Sequence, residues 1–189
     1  EWLSLVGDVF GRYISGISGD YLFHSVPYYS MSEEDLELEE FNKLGEQASQ
    51  GCVRLAVSDA KWVYDNCLTG TNVSIYDDAE NAGPLGKPDA IKITDFTNKW
   101  DPTDSNKKCP YAKATPIISG ANDYTIKSGG EFYALAGVTA VDTCGNDITS
   151  NIEVFGNVIT TRKGKYKVTY SVTDVLKRTS SVTITVTVQ

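Results

Sequence analysis

The chain has 189 residues, a net charge of −8 and 41% hydrophobic residues, a composition that is ordinary for one or two globular domains. It contains no apolar run approaching the roughly 20 residues that a membrane-spanning helix needs. Residues 1–115 hold 19 acidic and 10 basic side chains, whereas residues 116–189 hold six and seven. The acidic excess argues against nucleic acid as a partner, because phosphate binding needs a basic surface, and the asymmetry favours two separate units.

An acidic segment follows the one histidine of the chain, His24, which lies in a strand-like run. Residues 33–40 contain six acidic side chains in eight positions and predict a solvated loop or a short helix. The alternative is a lid over a site, because the two ends of the insertion lead to His24 and to Cys52. Its charge would then attract a cationic amine.

The segment Ser49-Gln50-Gly51-Cys52-Val53-Arg54 predicts a nucleophile turn. A thiol has a pKa of about 8.5, so a reactive cysteine needs a cationic or hydrogen-bonding neighbour, and His24 is the one imidazole available. A glycine before Cys52 permits a turn that directs the N–H groups of Gly51 and Cys52 at a developing oxyanion. The alternative is that His24 and Cys52 are inert core residues.

A short helix is predicted directly after this turn. Ser58 is a good N-cap, Asp59 favours the positive end of the helix, and apolar residues recur at helical spacing until Gly70. We expect this helix to pack behind Cys52, with Trp62 and Tyr64 in the core. A strand-like run, residues 71–76, follows it.

The rest of the chain predicts a linker and a second β-domain. Turn residues recur through residues 81–115, as in Gly83-Pro84, Asp101-Pro102 and Cys109-Pro110, and favour a linker. From residue 116 onward, β-branched runs at 138–141, 166–172 and 181–188 predict strands. We expect a β-sandwich of about seven strands over residues 116–189.

Three motifs carry a family resemblance. They are Phe-His-Ser-Val-Pro-Tyr at 23–28, Ser-Gln-Gly-Cys-Val-Arg-Leu at 49–55 and Ala-Lys-Trp-Val-Tyr-Asp-Asn at 60–66. Together they resemble the L,D-transpeptidase (YkuD) catalytic domain over residues 1–80. Residues 164–174 resemble bacterial immunoglobulin-like (Ig-like) domains. The expected fold class is therefore mainly β, a YkuD-like β-sandwich with a short helix followed by a C-terminal Ig-like β-sandwich.

The resemblance implies a division of roles around Cys52. Cys52 is the nucleophile and His24 the base, in a domain expected to be incomplete at its N-terminus because the family's upstream strands do not precede Glu1. Gln50 stands where many members carry a second histidine. The motif residues expected to support the oxyanion and the turn are Gly51, Ser49, Gln50 and Arg54. Those expected to line the substrate cleft are Tyr21, Phe23, Ser25 and Tyr28.

The implied activity is acyl transfer on peptidoglycan stem peptides, which forms cross-links between third-position residues through a cysteine acyl-enzyme. The resemblance further implies covalent inhibition by carbapenem-type β-lactams, a monomer, and a location at the cell wall or surface of a Gram-positive bacterium. Alternatives remain an L,D-carboxypeptidase and a non-catalytic wall-binding or structural fragment. A sortase is disfavoured, because Arg54 follows Cys52 by only two residues.

The other cysteines allow one disulfide in an oxidising compartment. If Cys52 is unpaired, the bridge joins Cys109 to either Cys67 or Cys144, and the sequence leaves this choice open. No Cys-x-x-Cys pair or histidine cluster is present, so we expect no metal and no cofactor.

Overall fold

A computed structural model describes residues 1–76, 78, 80, 83 and 86–189. The chain divides into two compact units, Glu1–Lys113 and Ala114–Gln189. Both are built from β-sheets, with short helices in the first unit, so the predicted mainly β class with a short helix is confirmed. Of the predicted turn at Gly83-Pro84, the proline lies outside the described residues.

The described residues of the first unit form two small sheets and two α-helices. In chain order these elements are β1 (Trp2–Leu5), β2 (Val9–Arg12), β3 (Ser15–Ser18), β4 (Tyr21–Ser25), α1 (Leu38–Phe41), β5 (Val53–Leu55) and α2 (Val57–Asn66). Strands β1 and β2 form an antiparallel hairpin, whose turn contains Gly7 and Asp8 at φ of 97° and 58°. The second sheet has the order β3-β4-β5, with β4 and β5 parallel.

Helix α2 is present where the sequence predicts a helix, but its cap is different. The helix begins at Val57, and its N-cap residue Ala56 provides no side-chain hydrogen bond. Instead, Asp101 accepts a hydrogen bond from the Val57 N–H at 2.8 Å, and Thr103 accepts one from the Ser58 N–H at 3.1 Å. The predicted N-cap role of Ser58 is therefore wrong, because a distant segment satisfies these N–H groups.

The outer face of α2 also differs from the prediction. The helix buries Val57 and Ala60 and packs against β4 and β5, whereas Trp62 and Tyr64 are 61% and 49% exposed. The expectation that these aromatic residues lie in the core is wrong. Residues 71–76 form no strand, and their apolar side chains are largely exposed.

Residues 91–113, which the sequence predicts to be part of a linker, belong to the packed first unit. Trp100, Asp101 and Tyr111 are buried, and a short 3₁₀ helix, Pro110–Lys113, ends the unit. Asp104 binds Arg12 of β2 across 2.7 Å, with both side chains buried. Turn residues signal the irregular backbone here but not its burial, because the buried side chains follow no periodic pattern.

The acidic segment is held down by its apolar residues. Leu36, Leu38 and Phe41 are buried among acidic side chains, of which Glu34 and Glu39 are exposed. The backbone N–H of Leu36 donates to the Lys99 carbonyl, and that of Glu37 donates to the Pro27 carbonyl. The segment is therefore a packed part of the unit that includes the short helix α1.

The second unit contains six strands in two sheets, one fewer than the predicted seven. They are β6 (Ile117–Ser119), β7 (Tyr124–Ile126), β8 (Thr139–Val141), β9 (Glu153–Phe155), β10 (Gly164–Thr173) and β11 (Thr179–Val188), with a 3₁₀ helix at Thr149–Asn151. The sheets have the orders β7-β11-β10-β9 and β6-β8. The long hairpin β10–β11 supplies much of the core, because its Val, Ile and Tyr residues alternate with exposed threonines.

All four cysteines lie among the described residues, and all are free thiols. The expected disulfide between Cys109 and either Cys67 or Cys144 is therefore absent from this structure. Cys109 and Cys144 are each buried, one in each unit, so neither is accessible to a partner thiol. Within the part of the chain that the structure describes, no helix is long and apolar enough to cross a bilayer.

Candidate active site

His24 lies on β4 in an almost fully buried position. Its Nδ1 is 2.6 Å from the carbonyl oxygen of Ser25. Because a carbonyl only accepts hydrogen bonds, Nδ1 carries the hydrogen, and the neutral ring keeps its lone pair on Nε2. This tautomer leaves Nε2 as the atom that can take up a proton.

The surroundings of His24 favour its neutral form. Burial lowers the pKa of the imidazole from its ordinary value of 6.5, and the positive charge of Arg54 lowers it further. The hydrogen bond to the Ser25 carbonyl acts in the opposite direction. The net shift is downward, so the ring is neutral at physiological pH and able to act as a base.

The imidazole of His24 also lies close to the backbone of Gly11 on β2. A Cβ at this position would lie 3.2 Å from Nδ1 of His24 and 3.0 Å from Cδ1 of Leu5. The absence of a side chain therefore lets the backbone of the hairpin approach the ring directly.

The turn that carries Cys52 is closed by Ser49. The Ser49 hydroxyl donates to the Cys52 carbonyl at 2.5 Å and accepts from the Gly51 N–H at 3.2 Å. Gly51 has a φ of 136°, and a Cβ there would lie 2.3 Å from the ring of Tyr21. The half-buried Cys52 thiol has the Asp20 carbonyl 3.9 Å from its sulfur.

These contacts bear on the expected oxyanion hole. In this structure the Gly51 N–H is directed at Ser49 and not into open space. The expectation that it serves as an oxyanion donor therefore needs a change in this turn, whereas the Cys52 N–H remains a candidate donor.

The parallel register of β4 and β5 brings the site residues together. His24 is the direct partner of Arg54, and Phe23 is the partner of Val53. Residues that are directly paired across a ladder point to the same face, so the side chains of His24 and Arg54 are neighbours. Cys52 lies immediately before β5, two residues from Arg54.

One cavity of about 830 Å³ joins these side chains. Of the residues that the sequence singles out, it is lined by Cys52, His24, Ser49, Gln50, Arg54 and Tyr21. Its opposite wall is the β1–β2 hairpin, through Leu3, Leu5 and Val9. The hairpin wall was missed from the sequence, although the Gly7-Asp8 pair between two apolar runs is a hairpin signal.

Three residues expected to line the cleft do not line this cavity. Ser25 and Tyr28 have no exposed surface, and the expectation that they contact substrate is corrected. Ser25 instead accepts from the Arg12 N–H and donates to the Val26 carbonyl, while Tyr28 packs edge-on against Trp2. Phe23 and Ser25 alternate with His24 along the strand, so they point to the opposite face of the sheet.

Among the residues that the structure describes, no cluster of three or more His, Cys, Asp or Glu side chains could hold a metal ion. The side chains that line the cavity include the Cys52 thiol, the His24 imidazole, the Arg54 guanidinium and the Asp20 carboxylate.

Comparisons with known proteins assign families to two segments. Residues 8–75 match the family described as the L,D-transpeptidase catalytic domain (YkuD). Residues 116–188 match the family described as the bacterial surface protein, Ig-like domain. The first segment contains both His24 and Cys52, and the second lies wholly in the second unit.

A curated relative agrees with the first assignment. A Bacillus subtilis (strain 168) protein named "Putative L,D-transpeptidase YciB" is 47% identical over 57 residues, which cover 30% of this chain. The match spans 28% of that protein's length, so the chain covers less than a third of it.

Two solved structures show more distant likenesses. The CBM51-2 and INT domains from Clostridium perfringens ZmpB, in complex with GlcNAc, are 29% identical and cover 39% of this chain and 16% of that one, with a TM-score of 0.36. A lipoprotein from Bacteroides thetaiotaomicron is 22% identical and covers 39% of this chain and 37% of that one, with a TM-score of 0.33.

The predicted resemblance is thereby confirmed segment by segment: residues 8–75 match the L,D-transpeptidase catalytic-domain family, and residues 116–188 match the bacterial surface Ig-like family.

Proposed function

We propose that the protein is a peptidoglycan L,D-transpeptidase that works through an acyl-enzyme on Cys52. The observation that carries the proposal is that Cys52 and His24, both in the segment that matches the L,D-transpeptidase family, line one cavity. His24 is the one histidine among these 189 residues, so it is the one imidazole of this chain that can serve as the base.

In the first step, Nε2 of His24 takes the proton of the Cys52 thiol. The thiolate attacks the carbonyl carbon of the third stem residue, a C–S bond forms, and the Cys52 N–H donates to the oxyanion. When the intermediate collapses, the C–N bond to the terminal D-alanine breaks. His24 returns its proton to the departing amine.

In the second step, the side-chain amine of a neighbouring third-position stem residue attacks the thioester. A C–N bond forms, the C–S bond breaks, and His24 accepts the proton that the amine loses. The thiol is regenerated and the two stems are cross-linked. Water in place of the amine would give hydrolysis, the L,D-carboxypeptidase outcome.

The cavity has the size and chemistry for a peptide. Its volume of about 830 Å³ lies within the range of about 300 to 1,000 Å³ typical of ligand sites. Apolar residues of the β1–β2 hairpin face polar groups from the Cys52 turn, and Arg54 provides a cation for a stem carboxylate. The Ig-like domain and the wall substrate together favour a location at the cell surface.

A carbapenem provides the direct test, read by intact-protein mass spectrometry. The expected result is an adduct with the mass of one opened β-lactam on Cys52. Cys52→Ala abolishes it, and His24→Ala forms it at least about 100-fold more slowly, the low end of the contribution of a general base.

Cys67→Ser is the matched control, because Cys67 is also a half-buried thiol but does not line the cavity. It keeps the wild-type adduct rate. An adduct that persists in Cys52→Ala, or one unaffected by His24→Ala, contradicts the proposal. Incubation with purified muropeptides then separates transfer from hydrolysis, since cross-linked dimers form only with an amine acceptor.

A further inference from the structure

A carboxylate of the acidic segment reaches the site through Arg54. Glu40 of α1 contacts Nη1 of Arg54 through its Oε2 and lies 2.5 Å from Nζ of Lys43 through its Oε1. Arg54 is in turn the direct strand partner of His24. Arg54 therefore connects Glu40 of α1, through an ion pair, to His24, its strand partner and the proposed base.

The guanidinium of Arg54 lies between two cavities. It lines the cavity of about 830 Å³ and also a second cavity of about 280 Å³, and Cys52 lines both. Glu40 lines only the second cavity. The ion pair is about three-quarters buried, with side-chain exposures of 23% for Arg54 and 24% for Glu40, so solvent screens it only in part.

We propose that Glu40 is a positioning residue for the active site: its ion pair holds the Arg54 guanidinium against the wall shared by the two cavities and sets the electrostatic field at His24. The part of this proposal that concerns the position of Arg54 depends only on the contacts described above. Its catalytic consequence rests on the proposed function.

Charges on the surrounding elements leave Arg54 as the main electrostatic influence on His24. The titratable and charged groups there are Arg54 on β5, Cys52, Asp20 and Tyr21 in the cavity wall, Arg12 on β2, and Asp59, Lys61, Tyr64 and Asp65 on α2. Arg12 is paired with Glu1 and Asp104, and Lys61 with Asp65. The charge of Arg54 lowers the pKa of His24, second only to burial among the lowering causes.

Without Glu40, the Arg54 guanidinium is free to turn into the larger cavity, which His24 also lines. A cation closer to the ring disfavours imidazolium and lowers the pKa of His24 further.

The single histidine makes this effect measurable without any assay of activity. NMR titration of this 189-residue chain gives one imidazole signal, and its midpoint is the pKa of His24. We expect Glu40→Gln to lower this pKa by about half a unit and Arg54→Gln to raise it by a similar amount. The double variant Glu40→Gln/Arg54→Gln should match Arg54→Gln alone, because Glu40 acts through Arg54.

Glu39→Gln is the matched control. It removes the same charge from the adjacent position of α1, where the side chain is exposed, and should leave the His24 midpoint unchanged. If Glu40→Gln fails to fold, Glu40→Asp provides the test. It should lower the pKa of His24 by a smaller amount. A wild-type midpoint in Glu40→Gln and Glu40→Asp, or a Glu40 effect that persists without Arg54, overturns the proposal.

A kinetic measurement links the pair to the reaction. The acid limb of the carbapenem acylation rate should move to lower pH in Glu40→Gln by the same amount as the NMR midpoint, which a purely structural role would not produce. An absent Cys52 adduct with a shifted midpoint contradicts the proposed function alone. A normal adduct with an unshifted midpoint contradicts the role of Glu40 alone.

Discussion

Gly51 is the residue on which the nucleophile turn depends most directly. Its φ of 136° is disfavoured for residues with a side chain, and an added Cβ would lie 2.3 Å from the Tyr21 ring. Gly51→Ala must displace Tyr21 or the turn, and so moves Cys52 relative to His24. We expect carbapenem acylation to slow by about 10- to 100-fold, since a shift of about 1 Å in a reacting group can cost that much.

Two variants separate the effect of the contact with Tyr21 from the effect of backbone strain at positive φ. Gly70→Ala places a Cβ at another glycine of positive φ, 95°, with no atom within 4 Å and outside the cavity, so it should cost stability but not acylation rate. Tyr21→Ala/Gly51→Ala removes the clash but keeps the strain, so part of the lost rate should return. Wild-type acylation by Gly51→Ala would disprove the role of this glycine.

The sequence predicts candidate reactive residues more readily than it predicts what surrounds them. His24 and Cys52 are predictable because their side chains have few chemical alternatives and His24 is unique. Ser25 was placed in the cleft in error, because the sequence does not tell which face of β4 is buried by α2. Gly11 and Glu40 escape prediction because each acts through a contact with a residue distant in the sequence.

Among the elements, α2 depends on a cap supplied 44 residues later in the chain. Asp101 is fully buried, and burial raises its pKa from 3.8 to about 6, although hydrogen bonds from Thr103 and Val57 oppose the shift. Between these two values the folded state binds more protons than the unfolded state. The free energy of unfolding should therefore fall as pH rises from 4 to 7, by about 2.4 kcal/mol from this group.

Asp101→Asn keeps an oxygen to accept from the helix but cannot ionise. Relative to wild type, its unfolding free energy should improve by about 2.4 kcal/mol between pH 4 and pH 7, measured by urea denaturation. Asp59→Asn removes an exposed carboxylate from the first turn of the same helix and should follow the wild-type curve. Parallel curves for Asp101→Asn and wild type would show that Asp101 does not titrate in this range.

Elements with regular patterns are the ones that the sequence predicts. Helix α2 follows from its apolar spacing, and β10 and β11 follow from the alternating runs at 166–172 and 181–188. Short strands such as β6 and β9 have three residues and no readable period. The packed course of residues 91–113 was predicted as linker because its burial depends on single anchors such as Trp100.

At the scale of the whole molecule, the four thiols report on both units at once. Cys52 and Cys67 are half-buried, whereas Cys109 and Cys144 are buried. Burial raises the pKa of Cys109, and it raises that of Cys144 to about 12, with the Asp142 carboxylate adding to the effect. Since the thiolate is the reactive form, iodoacetamide at neutral pH should modify Cys52 and Cys67 more than about tenfold faster than the other two.

Peptide mapping of the native protein measures this order, and Cys52→Ser should remove one of the two fast sites. In denaturant without reductant, all four thiols should react, because the folded structure contains no bridge among them. Two thiols that react only after reduction would show that a disulfide forms after all. Fast native labelling of Cys144 would show that the second unit opens, since its thiol lies beneath the surface of that unit and ionises poorly there.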